Sequence, residues 1–102
     1  MRKMQEYQYP LDLDWSTSEM VVVMKMWEVL EAANEEGVQV ADFLQAYQKF
    51  KEVVPAIGEE RRLGREFEKS SGYSLYHTVK AVKEQGTGRF KMGGETKKGR
   101  KK

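Results

Sequence analysis

The sequence predicts an all-α fold: a compact array or bundle of about four helices, with an extended N-terminal arm before it and a disordered basic tail after it. Three observations carry that prediction. Between residues 16 and 85 the apolar side chains recur at three- and four-residue steps in successive stretches, the period of an α-helix. Gly37, Pro55 and Gly72 punctuate those stretches and leave short connections between them. Only one segment alternates with period two, and no second strand run follows it.

That alternating segment comes first. Tyr7, Tyr9, Leu11, Leu13 and Trp15 are separated by Gln8, Pro10, Asp12 and Asp14, so an extended backbone here shows one apolar face. Pro10 has no amide hydrogen to donate to a ladder, which favours an arm packed across helices over a sheet strand. Ser16-Thr17-Ser18-Glu19 then fits a capping box, with Trp15 and Met20 in the two staple positions. The helix that starts there runs to about Glu36 and stops at Gly37. Its apolar residues are Met20, Val21, Val22, Val23, Met24, Met26, Trp27, Val29, Leu30 and Ala33. Lys25, Glu28, Glu31 and Glu35 leave only a narrow polar stripe. A helix this apolar is central to a core or lies at a dimer interface.

A second helix spans roughly Ala41 to Val54, with Phe43, Leu44, Tyr47, Phe50 and Val54 on one stripe and Pro55 as its stop. A third, about Gly58 to Ser70, is thin and charged. Leu63 and Phe67 are its large apolar residues, Ile57 stands at its entrance, and Gly64 interrupts it at a cost of about 1 kcal/mol against alanine. Gly72 closes it. A fourth starts near Ser74 and ends near Gln85, with Leu75, Tyr76, Val79 and Val82 inward.

Charge divides the chain of 102 residues into two parts. It is formally +2 overall, yet from Gly86 onward seven cations face Glu95 alone, a net +6 that leaves −4 on residues 1–85. The tail also holds five glycines and only Phe90 and Met92 as large apolar residues. It cannot bury enough surface to offset its ordering entropy, so residues 1–85 are predicted as one helical domain and 86–102 as a disordered tail. The absence of cysteine excludes a disulfide scaffold, thiolate zinc sites and a cysteine nucleophile. A single histidine excludes a His-rich metal cluster. The N-terminus lacks the apolar stretch of a signal peptide, and the run from Met20 to Met24 is far short of a membrane span. A cytoplasmic protein without membrane contact is therefore expected.

Two blocks of sequence carry a family resemblance. Tyr9-Pro10-Leu11-Asp12-Leu13-Asp14-Trp15-Ser16-Thr17 is followed by Val54-Pro55 and Glu59-Glu60-Arg61. Then come Arg65-Glu66-Phe67-Glu68-Lys69-Ser70-Ser71-Gly72-Tyr73-Ser74-Leu75-Tyr76 and Val79-Lys80. Over about residues 7–83 the chain resembles uncharacterised protein family 0223, the YktA-like small cytosolic proteins of Gram-positive bacteria. The resemblance implies a compact fold of about four helices and implies no activity, cofactor or site residue. Gly64 departs from the polar helix former expected at its position, and the basic tail extends beyond the shared region.

Candidate chemistry is sparse. Asp12 and Asp14 place two carboxylates on one face of an extended segment, but a hard cation needs about six or more oxygens and no loop supplies them. Glu59 and Glu60 sit where carboxylates favour the positive end of the third helix. His77 lacks a serine–aspartate or metal-ligand pattern around it. Gly86-Thr87-Gly88-Arg89 follows a helix and lacks the Gly-Lys-Ser/Thr ending of a phosphate loop. Arg61, Arg65 and Lys69 form a basic stripe, partly answered through Arg62–Glu66 and Arg65–Glu68 spacings. It reads as a solvated face or as a surface for an acidic or phosphorylated partner. Tyr73 and Tyr76 read as a core edge with wet hydroxyls or as a ligand shelf. In the tail, Arg89, Phe90, Lys91, Lys97, Lys98, Arg100, Lys101 and Lys102 combine phosphate-binding cations with one ring for base stacking. The alternative is a tail that only solubilises.

No catalytic residue, cofactor or metal is expected. The leading expectation is a non-enzymatic protein that binds another macromolecule through Arg61, Arg65, Lys69, Tyr73 and Tyr76, with a homodimer formed through the first helix. The alternative is an RNA- or ribosome-associated protein that binds through its tail.

Overall fold

Four helices form where the apolar periodicity places them: α1 (Thr17–Glu35), α2 (Val40–Val53), α3 (Ile57–Ser71) and α4 (Leu75–Gln85). The computed structural model describes residues 9–92. Ser16 caps α1 with the full box. Its hydroxyl accepts from the Glu19 amide at 3.2 Å, and its own amide donates to Glu19 Oε1 at 2.9 Å. Ser74 caps α4, accepting from the His77 amide at 3.1 Å. Gly64 leaves α3 continuous. It is buried, and a Cβ placed on it would stand 3.3 Å from Leu75 Cβ and Cδ2. The missing side chain is what lets α3 and α4 approach so closely, and that packing offsets the lost helix propensity.

The core is organised around Trp27, which is 0% exposed. Its ring stacks on Phe67 of α3 with centroids 4.9 Å apart and planes 18° apart, and meets Phe50 of α2 edge-on at 5.6 Å. Its indole Nε1 donates to the Pro10 carbonyl at 3.1 Å, so the same side chain also holds the arm. Val23, Met26, Leu30 and Ala33 extend the buried stripe along α1. Val40, Phe43, Ala46 and Phe50 of α2 and Leu63 and Phe67 of α3 face it. Six residues of α1 are thus buried within the fold, while Val21 and Met24 stay exposed.

The arm only half follows its alternation. Tyr9 packs against the core, its ring 5.9 Å from Phe67 and its hydroxyl donating to Glu31 at 2.8 Å. Beyond Pro10 the chain turns. The Trp15 amide donates to the Asp12 carbonyl at 3.0 Å, and the Asp14 amide donates to Asp12 Oδ1 at 2.9 Å. That turn breaks the single face, so Leu13 is 90% exposed. The Asp12 carboxylate serves the local turn. Tyr7 lies outside the described residues.

Fold and sequence differ most after Gln85. Residues 86–92, read from composition as the start of a disordered tail, strap back across the α1–α2 connection. A two-residue strand, β1 (Val38–Gln39), pairs antiparallel with β2 (Arg89–Phe90), Val38 opposite Phe90. The Val40 amide donates to the Gly88 carbonyl at 2.8 Å, and the Met92 amide donates to the Ala33 carbonyl at 2.7 Å. Phe90 is 7% exposed and joins the core, so its ring is not available to stack on a base. Arg89 caps the carboxyl end of α1, its guanidinium donating to the Glu36 carbonyl at 2.8 Å. The last turn of α1 has no basic residue of its own, so this contact supplies the positive charge that the helix dipole favours there. Gly37 makes room: its φ is +105°, and a Cβ would touch the Arg89 guanidinium at 3.0 Å. Residues 93–102, the rest of that predicted tail, lie outside the described residues.

Helix α4 also differs in detail. Leu75, Thr78, Val79 and Val82 are its buried residues, a three- and four-residue spacing that excludes position 76. Thr78 is accommodated because its hydroxyl accepts from Asn34 Nδ2 at 3.2 Å. Tyr76, expected inward, is 67% exposed.

Replacing Trp27 with alanine should destabilise the fold by about 3–5 kcal/mol, and Phe90→Ala should cost a similar amount, measured by chemical denaturation. Trp27→Phe keeps an aromatic ring but orphans the Pro10 carbonyl, for an expected loss of about 1–3 kcal/mol. A Phe90→Ala variant as stable as the parent would contradict the strap.

Candidate functional site

The residues singled out by sequence divide among three surfaces. Arg61 and Arg65 project from α3 into an open groove of about 440 Å³ between α3 and the amino end of α4. Tyr76 stands on the opposite wall, beside His77 and the helix cap Ser74. Lys69 lies further along α3, on a shallow face with Arg62, Glu66 and Glu68. Tyr73 goes elsewhere: it is half-buried against the core and its hydroxyl donates to Glu35 of α1 at 2.7 Å. The shelf of two tyrosines is therefore not formed. Lys91 is exposed, and Lys97, Lys98, Arg100, Lys101 and Lys102 lie outside the described residues.

The groove gains residues that sequence reasoning left aside. Ile57, at the start of α3, is 59% exposed at its edge. Gly64 and Leu75 line it midway, where the two helices touch. An isoleucine without a place in the stripe and a glycine inside a charged helix were the two sequence signals for it. The rings of Tyr76 and His77 meet edge-on at 5.2 Å.

Charges around the groove are sorted by their partners. Arg62 is held between two carboxylates, donating to Glu59 at 2.5 Å and to Glu66 at 2.9 Å. Those two carboxylates hold its guanidinium above its ordinary pKa. The Arg65–Glu68 pair suggested by spacing does not form, and among the described residues Arg61 and Arg65 have no ion pair. Glu60 does more than favour the helix dipole. It is buried, its Oε1 accepts from Lys51 at 2.5 Å, and its Oε2 accepts from the Tyr47 hydroxyl at 2.7 Å. This network ties α2 to α3 beneath the groove. Lys83 of α4 lies over the Tyr47 ring, 5.3 Å from its centroid.

Ser74 Oγ and His77 Nδ1 lie 3.0 Å apart. The hydroxyl already accepts from the His77 amide as the cap of α4, so the contact follows from local helix geometry. Among the described residues, no three His, Asp or Glu side chains gather where they could hold a metal ion, and no helix is long and apolar enough to cross a membrane.

Fold and groove define a small helical protein with a cationic, partly apolar cleft on one side. The chain belongs to the Uncharacterised protein family (UPF0223), whose profile matches residues 6–91. It is 61% identical over 90 residues to a UPF0223 protein of Enterococcus faecalis, covering 88% of this chain and 98% of the relative. It is 51% identical over 87 residues to one of Streptococcus sanguinis, covering 85% and 95%. A Streptococcus pneumoniae relative is 51% identical over 88 residues, covering 86% and 96%. The matched region reaches past Gln85 and takes in β2, in keeping with the place of Phe90 in the core.

Burial first, then donation to Glu60, pushes the Tyr47 hydroxyl well above the usual tyrosine range. Burial and donation to Glu31 do the same for Tyr9. A raised folded pKa contributes stability below the unfolded value of about 10 and loses it as pH rises beyond. In an alkaline titration followed by tyrosine absorbance, Tyr9 and Tyr47 should therefore ionise only with unfolding, and Tyr47→Phe should remove one tyrosine from that late step. Ionisation of all five tyrosines as a single ordinary group would contradict both hydrogen bonds.

Proposed function

We propose that this protein is a non-enzymatic interaction module that binds another protein through the α3–α4 groove. One observation carries the reading: exposed Ile57 and Tyr76 flank two arginines that, among the described residues, have no ion pair. Exposed apolar side chains beside arginines are the composition of an interaction surface. The homodimer reading has less support, because Val23, Met26, Trp27, Val29, Leu30 and Ala33 of α1 are already buried within one chain. A cytoplasmic setting fits the composition.

The second reading, RNA or ribosome association through the basic tail, has lost two of its eight residues. Phe90 belongs to the core, and Arg89 caps α1. Its remaining residues are Lys91 and the five cations at 97–102. A tail deletion that starts at residue 86 would remove part of the core, so a deletion that tests this reading starts at residue 93.

Affinity capture from native lysate should recover protein partners with the full chain, with and without nuclease, and equally with the chain cut after Met92. Ile57→Ser/Tyr76→Ser should lose them, since both side chains are exposed and the fold is retained. Capture abolished by nuclease or by the residue-93 deletion would favour the RNA reading instead. A serine-directed fluorophosphonate should leave the protein unlabelled; labelling that Ser74→Ala removes would overturn the non-enzymatic assignment.

A further inference from the structure

We infer that the occupant of the α3–α4 groove is an acidic segment of a partner protein, with one apolar side chain between Ile57 and Tyr76 and carboxylates on Arg61 and Arg65. The inference rests on the binding-module reading and adds the chemistry of the partner.

Charge complementarity is the argument. Along α3 the fold treats neighbouring arginines differently: Arg62 is clamped by Glu59 and Glu66, while Arg61 and Arg65, one turn apart on the groove side, are left open to solvent. Glu60, adjacent to Arg61 in sequence, is turned into the network with Lys51 and Tyr47 and so is neutralised from within. The facing wall is the amino end of α4, where the helix dipole also favours negative charge. Glu68 is the opposing term. It borders the groove beyond Arg65, and among the described residues no ion pair engages it. Two guanidiniums and a helix amino terminus outweigh it, and its place at one end gives the occupant a direction: acidic groups near Arg61 and Arg65, none beside Glu68.

Shape agrees with a peptide. From Ile57 to Glu68 the groove side of α3 rises about 16 Å, the length of roughly five extended residues or three helical turns. Arginine donates in a planar fork that matches a carboxylate with two parallel hydrogen bonds. Phosphate would also suit that fork, but a nucleic-acid backbone offers nothing apolar for Ile57.

The test uses the full-length protein, isotope-labelled for amide NMR, and three probes. These are a short peptide of glutamates around one leucine, the same peptide with lysine for each glutamate, and a single-stranded oligonucleotide. The acidic peptide should shift amides around Ile57, Arg61, Arg65 and Tyr76, and its binding should weaken with added salt. Arg61→Glu/Arg65→Glu should lower its affinity at least about tenfold and transfer binding to the lysine peptide, the charge-swap signature of complementarity. Tyr76→Ala should weaken binding without changing the preference for acid. The inference is overturned if the acidic peptide leaves the groove unshifted, or binds the double variant as tightly as the parent. It is equally overturned if the lysine peptide or the oligonucleotide fills the groove of the parent protein. Lysate capture that depends on Ile57 and Tyr76 but ignores the double variant would sink the acidic partner and leave the binding module standing. Failure of capture by the parent chain would remove the module itself.

Discussion

Everything in this fold depends on the burial of one indole. Trp27 touches α2 through Phe50, α3 through Phe67 and the arm through the Pro10 carbonyl. A large flat side chain brings much apolar area into a small core, and its single polar atom needs one partner. The arm supplies that partner, which explains how a segment with few core contacts of its own is held in place. A domain of this size has little redundancy in its core. The helices are therefore not interchangeable rods around a generic oily centre: α1, α2 and α3 meet through one ring system, and α4 packs beside it with Leu75, Val79 and Val82.

A second constraint closes the other end of the molecule. Helix α1 ends without a basic residue, and its carboxyl end would present carbonyls to solvent with no charge to complement them. Arg89 answers from 53 residues away. The contact needs a glycine at position 37 twice over, for the positive φ and for the space the guanidinium takes. Phe90 then follows Arg89 into the core, so a stretch dominated by glycine and charge becomes part of the fold through two anchored side chains and a two-residue ladder.

The groove is a by-product of close packing. Gly64 lets α3 and α4 touch at Leu75, and the groove beside that contact has Ile57 and Tyr76 among its lining residues. Neutralisation beneath the rim is handled by α2, through Lys51 and Tyr47 on Glu60. Among the described residues the surface arginines Arg61 and Arg65 have no ion pair: Glu59 and Glu66 are committed to Arg62 and Glu60 to Lys51, and Glu68 stands at the groove's end without engaging Arg65.

Local chemistry was legible in the residues alone. The capping box at Ser16, the stops at Gly37, Pro55 and Gly72, and the four periodic stripes determined helix number, order and ends, because each depends on neighbours within one or two turns. Family membership was legible too, from two blocks of motif. What lay beyond the sequence is long-range. Phe90 reads as tail because composition averages over a window, whereas its burial depends on Val38 across a ladder. Tyr73 and Tyr76 lie three residues apart, but Tyr73, in the connection before α4, reaches Glu35 of α1, while Tyr76, on α4, faces solvent. Arg61 and Arg62 are adjacent and chemically identical. Glu59 and Glu66 of the same helix close Arg62, a local pairing that spacing along α3 already allows, whereas the cleft beside Arg61 exists only because α4 packs against α3.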